Sequence, residues 1–209
     1  MLIENLRKKY DLNVPIYLQD VAAKLDISPA YARRLMAMWE KEGKIRKFDR
    51  GVYFFPKKSE IFGEAPFNSQ QVLEDRYLGK KEAPFGYYAD YTLANMAGIT
   101  TQVPAKIMIV SNAASGDRRR EVSIGKRRVI VRRPKNPVTK DNVAALSLLD
   151  LISVANKYSE LNQTETISMI KKYAKQAKVT KKQIRENIRF YPAKVSQDLI
   201  EMEVYDVLA

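Results

Sequence analysis

The stretch that decides the fold is SPAYARRLMAMWEKEG, residues 28–43. Ser28 followed by Pro29 is typical of a helix start, because a serine oxygen caps free N–H groups and proline is tolerated at the first helical position. Gly43 suits the position just beyond a helix, where the backbone often adopts a positive φ. These signals predict a helix that runs from Pro29 to Glu42.

One face of this helix is apolar and the other is small and basic. Apolar side chains recur at intervals of three and four residues, so they define a buried face that includes Trp39. On the opposite face and its flanks, small residues leave room for a close approach to DNA, while the arginines can reach guanine edges or phosphates. A solvated basic face is the alternative interpretation. The candidate DNA contacts are Ser28, Ala30, Tyr31, Arg33, Arg34 and Lys41.

The segments on either side of this helix are also predicted to form helices and strands. Two shorter helices are predicted before this one, at about residues 2–10 and 18–25, and two strands after it, at 44–48 and 52–55. Three helices followed by a basic hairpin predict a winged helix-turn-helix domain over residues 1–56. We expect its wing to touch the DNA backbone, although a charged strand pair can also protect an edge against aggregation. The wing cations are Lys44, Arg46, Lys47 and Arg50.

The rest of the chain predicts a linker and a second, mixed domain. Residues 57–68 are rich in Lys, Pro, Gly and Asn and are predicted to be the linker. Residues 69–209 then predict two helices, at about 69–78 and 90–97, three antiparallel strands between about 106 and 132, and helices from 139 to 209. Thr164 and Thr180 are candidate N-caps. The predicted fold class is therefore α+β, with a winged helix-turn-helix, a small antiparallel sheet and a C-terminal helical bundle.

A second basic cluster coincides with the predicted strands. Strand alternation places Val129 and Val131 on one face and Arg128, Ile130 and Arg132 on the other. So dense a cluster favours a second surface for a polyanion, DNA or RNA, over a merely solvated sheet face. Its members are Arg118, Arg119, Arg120, Lys126, Arg127, Arg128, Arg132 and Arg133, with Lys135 beside them.

Composition narrows the function classes. The chain has 37 Lys and Arg against 24 Asp and Glu, a net charge of +13, which favours a nucleic-acid partner. It has no cysteine and no histidine, which excludes disulfides, Cys/His zinc sites and His-based nucleophilic catalysis. Asp117 and Glu121 flank the strands without the carboxylate and lysine pattern of a nuclease, so we expect no enzyme, metal or cofactor. Without a signal peptide or an apolar span, a cytoplasmic location is expected, with no membrane partner.

Several segments occur in the order of a known family. They are the hairpin end RGVYFFP (50–56), YTLANMAGITTQVPA (91–105), the IGK turn (124–126), the RRP exit (132–134) and IRFYP (188–192). In this order the chain resembles the AbiEi family of antitoxins, from type IV toxin–antitoxin and abortive-infection systems.

The resemblance implies both a regulatory and a protective role. The protein would repress its own operon by binding inverted repeats in promoter DNA, with self-association on the DNA. Its second domain would counteract a nucleotidyltransferase-like toxin without a stable complex. Two alternatives stay open: a stand-alone winged-helix repressor, and an RNA-binding accessory protein without an antitoxin role.

Overall fold

In the computed structural model, which describes residues 2–59 and 63–209, the chain begins with three helices. They are α1 (Leu2–Lys9), α2 (Leu18–Leu25) and α3 (Pro29–Lys41). Each lies where the apolar spacing predicts it. Gly43 follows α3 with φ +71°, a backbone conformation that suits glycine because it has no Cβ.

A small antiparallel sheet accompanies these helices. Its strands are β1 (Ile16–Tyr17), β2 (Arg46–Asp49) and β3 (Val52–Phe54), in the spatial order β1-β3-β2. The β2–β3 register shifts between Lys47 and Asp49, which marks a bulge near the turn. The helices and the sheet share a core that includes Leu6, Ile16, Met36, Trp39 and Ile45, all buried.

The segment predicted as a linker has structure of its own where it is described. Strands β4 (Lys58–Ser59) and β5 (Gly63–Glu64) pair antiparallel, while residues 60–62 lie outside the described part of the chain. The Phe67 ring packs against Phe48 and Phe54, with centroid distances of 4.5 and 4.4 Å. The chain divides later than predicted, into the units Met1–Val72 and Leu73–Ala209.

Helix α4 (Ser69–Leu73) spans that division and continues as a π-helical turn, Glu74–Leu78. The second unit then has strands β6 (Gly79–Lys80), β7 (Ala83–Pro84), β8 (Gly86–Tyr88), β9 (Ile107–Ser111), β10 (Arg120–Ile124) and β11 (Arg127–Arg132). Four of them form one sheet in the order β10-β11-β9-β8.

The prediction of three consecutive antiparallel strands is wrong in one pairing. Strands β10 and β11 form the expected antiparallel hairpin, but β11 pairs parallel with β9. The connection after β9 leads to β10 at the edge of the sheet, one strand position away from β9. The tight turn after β10 then places β11 between β10 and β9. At the far edge, β8 pairs antiparallel with β9.

The remaining helices of the second unit include one apolar helix, and the others pack around it. They are α5 (Asp90–Met96), α6 (Val143–Tyr158), α7 (Gln163–Gln176), α8 (Lys181–Asn187) and α9 (Ala193–Glu201), with short 3-10 turns at Ile188–Phe190 and Tyr205–Val207. Nine residues of α6 are buried, which makes it the centre of this core. Thr180 caps α8 as predicted, but Asn162 rather than Thr164 caps α7. Within the described residues, no helix combines the length and apolarity needed to cross a membrane.

Candidate nucleic-acid interface

The start of α3 is fixed by its own sequence. The Ser28 side-chain oxygen accepts a hydrogen bond from the backbone N–H of Tyr31 at 3.2 Å, and Pro29 occupies the first helical position. On the inner face of the helix, Leu35, Met36 and Trp39 are buried. This packing fixes the rotation of the helix, so the same outer residues always face solvent.

The outer face of α3 carries small and cationic side chains. The exposed members of the predicted set are Ser28, Ala30, Arg33, Arg34 and Lys41, while Tyr31 is half-buried. The Arg34 guanidinium carbon lies 5.1 Å from the centroid of the Tyr31 ring, close enough for a cation–π contact. Within residues 2–59 and 63–209, no carboxylate pairs with Arg33 or Arg34. Both guanidinium groups are therefore available to an anion.

The hairpin cations are partly neutralised, which the sequence interpretation missed. Arg46 binds Glu64 through Nε and Nη2, with the closest contact at 2.8 Å. The hydrogen bond raises the pKa of Arg46 and lowers that of Glu64. Lys44 pairs with Glu42 at 2.7 Å. The Lys47 and Arg50 side chains are exposed at the turn side of the hairpin.

In the second unit, most members of the basic cluster are exposed on or beside β10 and β11. Several have nearby partners: Arg128 binds Glu121 at 2.6 Å, Arg133 binds Asp117 at 3.2 Å, and Arg120 donates to the Ser115 hydroxyl at 2.9 Å. These contacts are exposed, so water screens them, and the arginines can exchange them for contacts with a bound anion. Arg118, Lys126 and Arg127 also belong to the exposed set.

Arg132 does not belong to that exposed surface, which corrects the sequence prediction. Its side chain is only 16% exposed and binds Asp150 at 2.6 Å. Asp150, on α6, is 1% exposed and also accepts a hydrogen bond from the Tyr87 hydroxyl at 2.9 Å. Register places Tyr87 and Arg132 on either side of Val110, in one row across the sheet. Arg132 is therefore an internal charge with a structural partner.

Asp90 links this buried pair to the surface. It is 5% exposed and adopts φ +48° at the start of α5, a strained conformation for a residue with a side chain. Its carboxylate lies 3.2 Å from Arg119 and 3.7 Å from Arg132. Burial, followed by the charge of Asp150, raises the pKa of Tyr87, so that its phenol stays protonated and donates. Both partners of Asp90 lie far from it in sequence, Arg119 just before β10 and Arg132 on β11, so the sequence alone does not reveal these contacts.

The stretch 100–103, part of a motif behind the family resemblance, is held by hydrogen bonds. Glu160 accepts from the Thr101 backbone N–H at 2.8 Å, from the Thr101 hydroxyl at 2.9 Å and from the Gln102 amide at 2.6 Å. These hydrogen bonds lower the pKa of Glu160. Val103, the next residue, is 84% exposed. Across the described residues, no cluster of three or more His, Cys, Asp or Glu could hold a metal ion.

Comparison with known families adds one finding. A family model with the description "Family of unknown function (DUF6088)" matches residues 16–181. That region includes α2, α3, the β2–β3 hairpin and the basic strands of the second unit. No curated protein matches the chain.

Proposed function

We propose, for a chain that belongs to the DUF6088 family of unknown function, that the N-terminal unit binds duplex DNA as a winged helix-turn-helix. Helix α3 lies in the major groove and the β2–β3 hairpin lies along the backbone. The observation that carries the proposal is the outer face of α3, where two arginines with no carboxylate partner among the described residues stand beside small residues at a capped helix start.

The chemistry of that face suits DNA. Recognition helices enter the major groove with their N-terminal residues, where Ala30 permits close approach and Arg34 can bind guanine through O6 and N7. The helix dipole at the start of α3 also favours a phosphate nearby. The Tyr31 ring limits the conformations open to Arg34, so less side-chain entropy is lost on binding.

The hairpin supplies contacts that do not depend on sequence. Lys47 can bind a phosphate directly, and Arg50 is exposed beside it, whereas Arg46 must first exchange Glu64 for a phosphate. Such contacts fix the position of the protein on the duplex and make its affinity depend on salt concentration.

The biological role that we propose is the one the family resemblance implies. The protein acts as a type IV antitoxin: it represses its own operon by binding promoter inverted repeats, as self-associated copies. It counteracts a nucleotidyltransferase-like toxin without forming a stable complex. The antitoxin part rests on the resemblance in residues 91–105, 124–126, 132–134 and 188–192 rather than on a site geometry.

The test begins with selection of bound sequences from a randomised duplex library by the full chain, and we expect enrichment of an inverted repeat. Replacing Arg34→Ala should then weaken binding to the selected duplex by about 1–3 kcal/mol, and weaken binding to random duplex less. Lys8→Ala, which removes an exposed charge from α1, is the matched control. Equal losses for both variants on both duplexes would refute base reading by α3.

A further inference from the structure

The turn between α8 and α9 presents an aromatic ring that the proposed function does not use. It contains the motif IRFYP, residues 188–192, and folds as the 3-10 turn Ile188–Phe190. Phe190 is 37% exposed although it is large and apolar, whereas the adjacent Tyr191 is buried. An exposed ring next to a buried one shows that only part of this turn serves the core.

Hydrogen bonds hold the turn in place. The Tyr191 hydroxyl donates to the backbone oxygen of Leu146 at 3.0 Å, and burial raises its pKa, so it remains a donor. The Asn136 amide donates to the side-chain oxygen of Asn187 at 2.9 Å, which ties the turn to the segment that follows β11. The exposed ring is thus carried on a fixed backbone rather than on a free loop.

Two cations lie over the two rings. The Arg189 guanidinium carbon is 4.9 Å from the centroid of Phe190, and the Lys135 ammonium nitrogen is 3.8 Å from that of Tyr191. Within the described residues, neither cation has a carboxylate as an ion-pair partner. The exposed Phe190 ring with Arg189 over it, and Lys135 over the adjacent Tyr191, combine a stacking face with positions for phosphates, as single-stranded nucleic acids require.

The charge of the second unit also favours a polyanion. Residues 73–209 carry 24 Lys and Arg against 15 Asp and Glu, whereas residues 1–72 carry 13 against 9. Most of the excess positive charge therefore lies outside the unit that we assign to duplex DNA. Base faces in a duplex are covered by their neighbours, so an aromatic ring on the surface stacks at least cost on an unpaired base.

We propose that Phe190, Arg189 and Lys135 form a stacking platform that binds single-stranded nucleic acid. Phe190 stacks on a base after Arg189 swings aside to a phosphate, and Lys135 binds the next phosphate. No hydrogen-bond donor or acceptor of this platform is fixed toward a base edge, so binding tolerates any sequence. The platform is independent of the proposed reading of duplex DNA by α3.

The test measures binding of the full chain to fluorescent oligo(dT) and oligo(U) of about 15 nucleotides by anisotropy. An abasic oligonucleotide of the same length serves as the probe for phosphate contacts alone. Phe190→Ala should weaken binding to the base-containing probes about 5- to 150-fold and leave the abasic probe within about twofold. Phe190→Tyr should restore binding, since it keeps the ring. A preference for oligo(U) over oligo(dT) would show that the platform binds RNA rather than single-stranded DNA.

Matched controls separate the platform from general charge and general stability. Ile200→Ala removes another exposed apolar side chain, and Lys172→Gln removes an exposed charge on α7. Arg189→Gln should weaken binding more than Lys172→Gln does. Equal effects of these two variants, or an equal loss on the abasic probe with Phe190→Ala, would overturn the platform. Phe190→Ala should not change affinity for the selected duplex, and Arg34→Ala should not change affinity for oligo(dT), so either proposal can fail alone.

Discussion

The buried pair of Arg132 and Asp150 should dominate the stability of the second unit. Asp150 is 1% exposed and binds both Arg132, at 2.6 Å, and the Tyr87 hydroxyl, at 2.9 Å. Asp150→Asn would leave the charge of Arg132 inside the protein with only Asp90, at 3.7 Å. Removing one partner of a buried pair costs about 3–5 kcal/mol, because the remaining charge is uncompensated. For a unit of this size, Tm should fall by about 10–20 °C.

Thermal and urea unfolding followed by circular dichroism measure this effect. The matched control is Asp117→Asn, since Asp117 pairs with Arg133 but is 91% exposed, and its loss should cost less than about 1 kcal/mol. Replacing the whole group, with Tyr87→Phe, Arg132→Met and Asp150→Leu together, should recover most of the lost stability, because the uncompensated charge of Arg132 is removed along with its partners. If Asp150→Asn lowered the stability as little as Asp117→Asn does, solvent would have to reach Arg132. Arg132 would then belong to the exposed basic surface after all.

Three further changes test other parts of the structure. Ser28→Ala should lower the free energy of unfolding of the N-terminal unit by about 1 kcal/mol in urea, because the Tyr31 N–H loses its hydrogen-bond acceptor. An unchanged urea midpoint would show that this cap does not stabilise the helix. Glu64→Gln should free Arg46 to bind a phosphate, so that the slope of log binding constant against log salt concentration on random duplex steepens by about one unit. Glu42→Gln tests whether Lys44 behaves in the same way. The pKa of Glu160 is lowered in the fold, so its contribution to stability is present above the ordinary carboxyl pKa and lost as pH falls through the lowered value. Glu160→Gln should therefore flatten the loss of stability below about pH 5, and an unchanged acid profile would contradict the hydrogen-bonding role.

Local signals in the sequence predicted the N-terminal elements well. Helix α3 is specified by a cap, a proline, an apolar period and a glycine, all of which act within one segment. The exposed set on its outer face follows directly from the same period. Trp39 is in the core, as its position in the apolar pattern indicates.

Interactions between distant segments were harder to predict. A period of two identifies strands but not their order, so the parallel pairing of β9 with β11 could not be derived from alternation. Composition suggested a linker at residues 57–68, yet Phe67 packs on Phe48 and Phe54. The available signal was a pair of phenylalanines, Phe62 and Phe67, in a polar stretch, which the composition of the whole segment masked.

The prediction that Arg132 belongs to the exposed basic surface was wrong for a similar reason. Its partner Asp150 lies on another element, and alternation along β11 treats all outward arginines alike. One signal could have identified the pair: Asp150 is a single carboxylate within the apolar run of α6, and a buried carboxylate needs a cationic or hydrogen-bonding partner. In the same way, Glu64 could not be assigned to Arg46 without the positions of β2 and β5.

Chemical-shift mapping of the ¹⁵N-labelled chain with the selected duplex shows whether α3 reads duplex DNA. We expect the largest amide perturbations at residues 28–34 and smaller ones in the β2–β3 hairpin. With the Arg34→Ala variant, the perturbations at residues 28–34 should be lost. Perturbations confined to residues 118–133, with residues 28–34 unchanged, would contradict the reading of duplex DNA by α3.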